Sequence, residues 1–221
     1  LVGALDHARA LEITEKLLKA LYAGAAYVRE SPILFSGVGV LASANFAITL
    51  FMANSMYYLA SVRNLGAIQI GLVTAASGVG ALFGSFVAVR LARLHRPGLL
   101  IALCTILEGV VTLGLLGRPS VSVIASIYGA GMLFGSVTIV TWFTLRQRIT
   151  PSFLLGRVVS LTRLIAYAPI PIASLLGGYL LAARKEMSLL IICSAILRIL
   201  VGGVGLLTPL CLRRKEAPSP A

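Results

Sequence analysis

Apolar runs of about 20 residues fill most of this chain, and polar residues are confined to short gaps between them. The pattern predicts six transmembrane helices, at residues 33–60, 68–89, 98–117, 119–145, 155–183 and 187–212. A helix of about 20 apolar residues spans the roughly 30 Å hydrocarbon core of a bilayer. Because the gaps are short, neighbouring helices must run antiparallel. We therefore expect an all-α, polytopic membrane protein with a six-helix transmembrane bundle.

The first 31 residues are more polar than the rest. Leu11, Leu18, Leu21 and Val28 recur at helical spacing among charged residues, which predicts an amphipathic helix on a membrane surface or on a partner. We divide the chain into a cytoplasmic linker (1–31), a transmembrane domain (32–212) and a cytoplasmic tail (213–221). The sequence begins at Leu1 without the pattern of a signal peptide, so we expect it to be a piece of a longer protein.

Composition and charge agree with a lipid environment. Hydrophobic residues make up 58% of the chain and charged residues 12%, against about 45–50% and 25% in soluble domains. The net charge is +12, and most of the Lys and Arg residues lie outside the crossings, without base-stacking aromatics between them. They therefore indicate lipid headgroups as partners and no nucleic acid. If the N-terminus is cytoplasmic, thirteen Lys and Arg lie inside and four outside. This bias predicts a plasma (inner) membrane protein with both termini cytoplasmic.

Two opposite charges lie near the middle of predicted crossings. Glu108 is about ten residues into the third crossing, and Arg198 is at a similar depth in the sixth. An unpaired ion in hydrocarbon costs at least about 2.5–3.5 kcal/mol, so we expect the two to form an ion pair. Three roles are open: the pair braces two helices, Glu108 carries a coupling proton, or the charges form a polar contact facing the lumen.

Several polar positions are candidates for a substrate cavity. One helical face of the first crossing carries Asn45, Thr49, Met52 and Met56, and the fourth crossing carries Thr138. These residues could line a wet cavity or form a seam between helices. Trp142 is expected at the membrane interface. The two prolines Pro169 and Pro171 must kink or unwind the fifth crossing, because each lacks a backbone donor.

Glycines recur at the spacing that lets helix backbones approach closely in lipid. Gly80 and Gly84 form one such pair in the second crossing, and Gly131 and Gly135 form another in the fourth. Both pairs predict close helix packing.

Catalysis is not indicated. Ser77, in AASGVGA, superficially resembles the nucleophile segment of an intramembrane protease, but the two histidines, His7 and His95, lie in predicted cytoplasmic segments. Ser77 therefore has no base to activate it. The three cysteines have no spacing typical of a metal site. We expect no enzyme activity, no metal and no cofactor.

Two stretches carry a family resemblance. GSFVAVRLARLHRPGLL (84–100) is similar to the second copy of the glycine-and-arginine loop of the major facilitator superfamily. RQRITPSFLLGRVVSLTRLIAYAPIPIASLLGG (146–178) is similar to a passage of its macrolide-efflux and enterobactin-exporter branch. From about residue 20 to 212, the chain resembles the C-terminal half of such a twelve-helix transporter, which implies inverted repeats of three helices.

The resemblance also implies gating loops and a missing partner. The implied gating residues are Arg90, Arg93, Arg96, Arg146, Arg148, Gly156 and Arg157, with Gly156 allowing a close approach where the fifth crossing begins. The first stretch departs from the family pattern because it contains no carboxylate. The first six helices of the family are absent, so a second bundle or a second copy of this chain is an implied partner.

These features predict one half of a secondary transporter. By resemblance it is an exporter of amphipathic small molecules, such as drugs or siderophores, that works by alternating access with possible proton coupling. The other interpretation is a six-helix membrane scaffold or assembly factor that does not transport and binds a partner through residues 1–31.

Overall fold

The structure is a computed structural model that describes residues 22–91, 96–117, 119–184 and 186–212. The described residues form helices and no strands, so the predicted all-α membrane bundle is confirmed. Residues 22–30 form helix α1. The helices that follow are α2 (Pro32–Met52), α3 (Ser55–Tyr57), a π-helix (Tyr58–Val62), α4 (Ala67–Leu91), α5 (Pro97–Leu113), α6 (Val121–Ile149), α7 (Leu155–Tyr167), α8 (Pro169–Arg184), α9 (Met187–Leu206) and α10 (Pro209–Leu212).

Five helical segments of the described chain are long and apolar enough to cross a membrane. They are Pro32–Val62, Ala67–Leu91, Val121–Ile149, Leu155–Ala183 and Met187–Leu206. The remaining predicted crossing corresponds to α5, an apolar helix of 17 residues. At 1.5 Å per residue α5 is about 26 Å long, and the turns at residues 114–117 extend it.

The first crossing begins as its sequence predicts and ends differently. The hydroxyl of Ser31 accepts a hydrogen bond from the N–H of Leu34, at 3.4 Å, and Pro32 occupies the first turn of α2. The α-helix then stops at Met52, and the chain continues through α3 and the π-helix. The predicted crossing at 33–60 matches the apolar helical segment Pro32–Val62, and the break lies within it.

The fifth crossing is divided at the predicted proline. Helix α7 ends at Tyr167 and α8 begins at Pro169. Pro171 also lies in the first turn of α8, where N–H groups have no partner within the helix. Because a new helix begins at Pro169, both prolines lie in a first turn, where their missing N–H groups break no hydrogen bond of the helix.

The first three crossings and the last three pack in equivalent ways, so that the main helix contacts of one triplet have counterparts in the other. Helix α2 packs against α7, α8 and α9, and α6 packs correspondingly against α4 and α5. Helices α5 and α9 pack against each other. This is the arrangement expected for inverted repeats of three helices.

Contacts between residues show which loops lie together at each end of the bundle. At one end, the Tyr27 hydroxyl donates to the Ile149 carbonyl over 2.6 Å, and Gly98 packs against the Leu210 carbonyl. At the other end, Arg63 donates to the Pro119 carbonyl. The grouping agrees with antiparallel crossings and gathers the basic 146–157 segment beside α1. The orientation of these ends relative to the cytosol stays a prediction.

Helices α4 and α6 approach each other most closely at two predicted glycines. A methyl group on Gly80 would overlap the backbone of Gly129, and one on Gly84 would overlap the backbone of Leu133. The close packing predicted for Gly80 and Gly84 is confirmed. Gly131 differs, because a methyl group there would touch nothing within 4 Å. The packing predicted for Gly131 is wrong, since its surface faces a small cavity.

Candidate functional site

The predicted pair of intramembrane charges lies inside the bundle. Glu108 on α5 and Arg198 on α9 form a salt bridge, with only 3% and 5% of their surfaces exposed. A methyl group on Gly109 would lie 2.7 Å from the Ala195 carbonyl oxygen, so the backbones of α5 and α9 are close beside the pair. On α6, Gly135 leaves room for the carboxylate: a methyl group there would lie 2.7 Å from Oε1 of Glu108. Three helices therefore meet at this ion pair.

A small cavity borders the arginine of the pair. It has a volume of about 30 Å³, and α2, α5, α6 and α9 contribute its lining, which includes Met52, Thr112, Tyr128, Ser194 and Arg198. A volume of this size holds about one or two water molecules. Pockets for drug-sized ligands have about 300–1,000 Å³. The cavity can therefore hydrate the polar groups around Arg198 but is too small for a substrate.

The five predicted cavity residues do not all line this small cavity. Met52 borders the small cavity and the other four are not among its lining residues. Asn45 donates its amide to the carbonyl of Ala166 over 2.8 Å, one residue before α7 ends. Met56 lies beyond the break in the first crossing and is 59% exposed.

The remaining two predicted cavity residues are also separate. Thr49 is half-buried in α2, and Thr138 is buried in α6 with an unpartnered hydroxyl among the described atoms. Because α2 ends at Met52, the helical spacing that was expected to put Met56 on the same face as Asn45 and Thr49 is interrupted at residues 53–54. A role of these residues in substrate binding stays a prediction.

Trp142 lies inside the bundle. It is 1% exposed, and a methyl group on Gly37 of α2 would overlap its indole ring. The absence of a side chain at Gly37 makes room for the ring inside the bundle. The Trp142 ring therefore faces other helices instead of lipid, and its position at the level of the membrane interface stays a prediction.

The predicted gating residues lie in different environments. Arg90, Arg96, Arg148 and Arg157 are exposed, whereas Arg93 lies outside the described residues. Arg146 is the exception: α6 continues to Ile149, so Arg146 is helical instead of belonging to a loop, and it is 2% exposed. Its guanidinium donates to the Thr162 hydroxyl on α7 over 2.8 Å.

Gly156 has no packing role that requires glycine. A methyl group at this position would touch nothing within 4 Å, and Gly156 is not among the glycines with positive φ. The close approach expected at Gly156 is therefore wrong. A part in gating remains a prediction for Gly156 and for the arginines around it.

Helix α7 carries an exposed polar stripe that the sequence analysis did not identify as a site. Gly156, Ser160, Arg163 and Tyr167 follow one another at i, i+4, i+7 and i+11 and are all exposed. The buried residues Val158, Thr162 and Ala166 lie on the opposite side of the same helix, which fixes the direction of the stripe. The signal that could have revealed it was Arg163, an arginine within an apolar crossing.

Helix α1 covers the start of α7. A methyl group on Gly24 would lie 3.3 Å from Cβ of Arg157, and Val28 belongs to the same buried cluster as Trp142 and Val158. Burial raises the pKa of the Tyr27 phenol above its ordinary value of 10.0, so the phenol stays protonated and keeps its hydrogen bond to Ile149 at neutral pH. The rest of the predicted amphipathic segment, residues 1–21, lies outside the described residues.

Comparison with known proteins finds partial relatives. The chain is 34% identical to an enterobactin exporter, EntS, of Shigella flexneri over 147 residues, which cover 65% of this chain and 33% of that protein. The identity to EntS of Escherichia coli O81 (strain ED1a) is also 34%, over 149 residues, 65% of this chain and 34% of that protein.

The chain thus spans about a third of the length of these relatives. The aligned share of this chain is also smaller than the span from 20 to 212 over which the resemblance was expected. No family model matches the sequence, and no solved structure matches it.

Proposed function

We propose that this chain, which is 34% identical to an enterobactin exporter over 65% of its length, forms one six-helix half of an exporter of the major facilitator type in the plasma (inner) membrane. The half works with a second bundle, which is either another part of a longer chain or a second copy of this one. The two bundles rock about a shared path and give alternating access. The pairing of helices in inverted triplets supports this arrangement.

The solute path lies along an outer face of the bundle. The cavity described inside it has about 30 Å³, which is at least tenfold too small for a drug-sized molecule. A substrate must therefore cross between this bundle and its partner. This need for a second bundle distinguishes the proposal from a scaffold that acts alone.

The observation that carries the proposal is the exposed polar stripe of α7. Arg163 lies eight residues after the start of α7, about 12 Å along the helix axis at 1.5 Å per residue. A charged side chain at that depth is costly in contact with lipid tails and is normally found facing protein or water. The stripe from Gly156 to Tyr167 therefore borders the wet path, and the helix break at Pro169 continues it, because irregular backbone at membrane depth is tolerated where it borders a cavity.

The transported substrate is an amphipathic small molecule of the siderophore type. This proposal follows the two relatives, which are named as exporters of enterobactin. Glu108 and Arg198 brace α5 against α9 in this proposal. Their burial in a seam of three helices favours bracing over transfer of a proton to the solute path.

Complementation tests the proposal. We expect the gene, expressed with its upstream reading frame in Escherichia coli that lacks its own enterobactin exporter, to restore enterobactin in the culture medium. If the second bundle is part of a longer chain, the 221-residue chain alone should not restore secretion, because one half does not enclose a path; if the second bundle is another copy, the 221-residue chain should restore secretion only as a dimer. As a matched pair, Arg163→Leu should abolish secretion, whereas Leu164→Ala, one residue along α7, should retain it.

Two outcomes contradict the proposal. Secretion restored by the 221-residue chain expressed alone as a monomer would show that no second bundle is needed. Equal secretion from the wild type and Arg163→Leu, at equal amounts in the membrane, would show that the polar stripe does not border the path.

A further inference from the structure

Two arginines share one aromatic ring where α6 and α7 meet. The guanidinium carbon of Arg146 lies 5.0 Å from the centroid of the Phe143 ring, and that of Arg163 lies 5.3 Å from the same centroid. Each cation gains from the negative face of the ring. The attraction to Phe143 holds two like charges near each other.

This concentration of positive charge has no described counterion. Among the residues that the structure describes, Glu108 and Arg198 form the only salt bridge, so neither Arg146 nor Arg163 has a carboxylate within 4 Å in that part of the chain. A neutral hydroxyl, that of Thr162, accepts from Arg146. Two guanidinium groups brought together without an anion repel each other, and the repulsion grows where water is partly excluded.

The buried arginine is also incompletely paired. Arg146 is 2% exposed, and its Nε–H has no hydrogen-bond partner among the described atoms. A buried charged donor without an acceptor is costly, and in native structures it commonly marks an unseen ligand, ion or water. Arg163 beside it is exposed on the polar stripe of α7, so an anion can approach from that side.

We propose that Arg146 and Arg163, held on Phe143, form a binding site for an anionic group at the end of the bundle next to α1. The ligand carries a carboxylate, phosphate or similar oxyanion, because planar guanidinium groups donate paired hydrogen bonds to such oxygens. This inference rests on the proposed function only in taking the α7 stripe to border water. It adds that the molecule entering there is negatively charged, or that an anionic lipid headgroup occupies the site.

Binding can be measured directly on the 221-residue chain. Trp142 is its only tryptophan and precedes Phe143, so its fluorescence reports on this region. The probe is 4-nitrobenzoate, an aromatic anion that quenches tryptophan, added to the protein in nanodiscs of zwitterionic phosphatidylcholine. The neutral 4-nitrobenzyl alcohol serves as the matched probe without charge.

We expect saturable quenching by 4-nitrobenzoate and non-saturable quenching by the alcohol. Arg163→Gln should weaken the apparent affinity about tenfold or more, as loss of a charge-assisted hydrogen bond requires, while Arg163→Lys retains part of it. Arg29→Gln changes an exposed arginine of α1 and should leave the affinity unchanged. Arg163 is exposed, so its variants should fold, and an unchanged Trp142 emission maximum without probe checks this.

Nanodiscs that contain phosphatidylglycerol distinguish the two sources of the anion. If a lipid headgroup occupies the site, phosphatidylglycerol should lower the apparent affinity of the wild type for the probe, and this loss should be absent in Arg163→Gln. If the site takes a soluble anion, phosphatidylglycerol should have equal effects on both proteins. Either result supports the site and identifies its ligand class.

The site is refuted if the wild type shows no saturable quenching, or if Arg163→Gln binds the probe as tightly as the wild type. This binding assay does not depend on transport. Failed complementation together with saturable, Arg163-dependent quenching would therefore contradict the exporter and retain the anion site.

Discussion

Glu108 and Arg198 are separated by 90 positions in the sequence, yet they form one salt bridge buried between α5 and α9. Removing one partner leaves the other as an unpaired buried charge, which costs about 3–5 kcal/mol. Glu108→Gln should therefore lower the thermal stability of the bundle by an amount in this range. Replacing both residues, as Glu108→Gln with Arg198→Leu, should recover part of the loss because no unpaired charge remains.

Thermal unfolding of the purified chain in nanodiscs measures both effects. A Glu108→Gln protein with unchanged stability, combined with loss of gradient-driven transport in the complementing protein, would contradict the bracing role. That combination would instead assign proton coupling to Glu108.

Close packing of α4 on α6 makes Gly80 sensitive to a single methyl group. In Gly80→Ala the added methyl overlaps the backbone of Gly129, and forcing an extra group into a packed interface costs about 1–3 kcal/mol. Gly78→Ala is the matched control, because a methyl there touches nothing within 4 Å. We expect Gly80→Ala to unfold at a lower temperature and Gly78→Ala to be neutral or slightly stabilised. Equal melting temperatures for the two variants would show that α4 and α6 are not packed at Gly80.

The hydrogen bond from Tyr27 to Ile149 attaches α1 to the end of α6. Tyr27→Phe removes the hydroxyl and should weaken this attachment by about 0.5–1.5 kcal/mol. Amide hydrogen exchange in residues 22–30 should then be about two- to tenfold faster. Tyr22→Phe is the control, because Tyr22 is 78% exposed and should not change the exchange. Identical exchange rates for Tyr27→Phe and the wild type would be inconsistent with the contact.

The Asn45 amide stabilises the end of α7 by donating to Ala166. Asn45→Leu keeps a side chain of similar size without the donor and should cost about 0.5–1.5 kcal/mol. Asn45→Gln retains an amide on a longer chain and serves as the conservative comparison. Thermal unfolding should rank the wild type above Asn45→Leu, with Asn45→Gln between them. A stability of Asn45→Leu equal to that of the wild type would contradict the bond.

The sequence predicted the features of the fold that depend on local chemistry. Runs of apolar residues long enough to span a bilayer located the crossings, because nothing else in a chain of this composition requires such runs. Ser31 and Pro32 predicted where α2 begins, and Pro169 predicted the break between α7 and α8. The pairing of Glu108 with Arg198 followed from the cost of an isolated charge in hydrocarbon.

Features that depend on contacts between distant residues could not be read from the sequence. The break after Met52 contains no proline or glycine; there α8 presents Gly177 to the Leu50 carbonyl and to the Asn54 amide. Trp142 is buried because Gly37, more than 100 positions away in the chain, leaves room for its ring.

The candidate site was predicted less well than the fold. Arg146 lies next to a proline-containing loop and is basic, which suggested a solvated position, but α6 continues past it and turns its side chain towards Thr162. The polar stripe of α7 became evident only when exposure could be assigned to each face of the helix.

The central claim is that this chain is a membrane-embedded half-transporter with its basic end in the cytosol. Measuring on which side of the membrane each end of the bundle lies tests this claim most directly. Fusions of green fluorescent protein and of alkaline phosphatase after Arg148 and after Gly117 report the two ends in living cells. We predict fluorescence without phosphatase activity for fusions after Arg148, and phosphatase activity without fluorescence for fusions after Gly117. Phosphatase activity after Arg148, or the same sidedness at both positions, would contradict the topology and with it the proposed transporter.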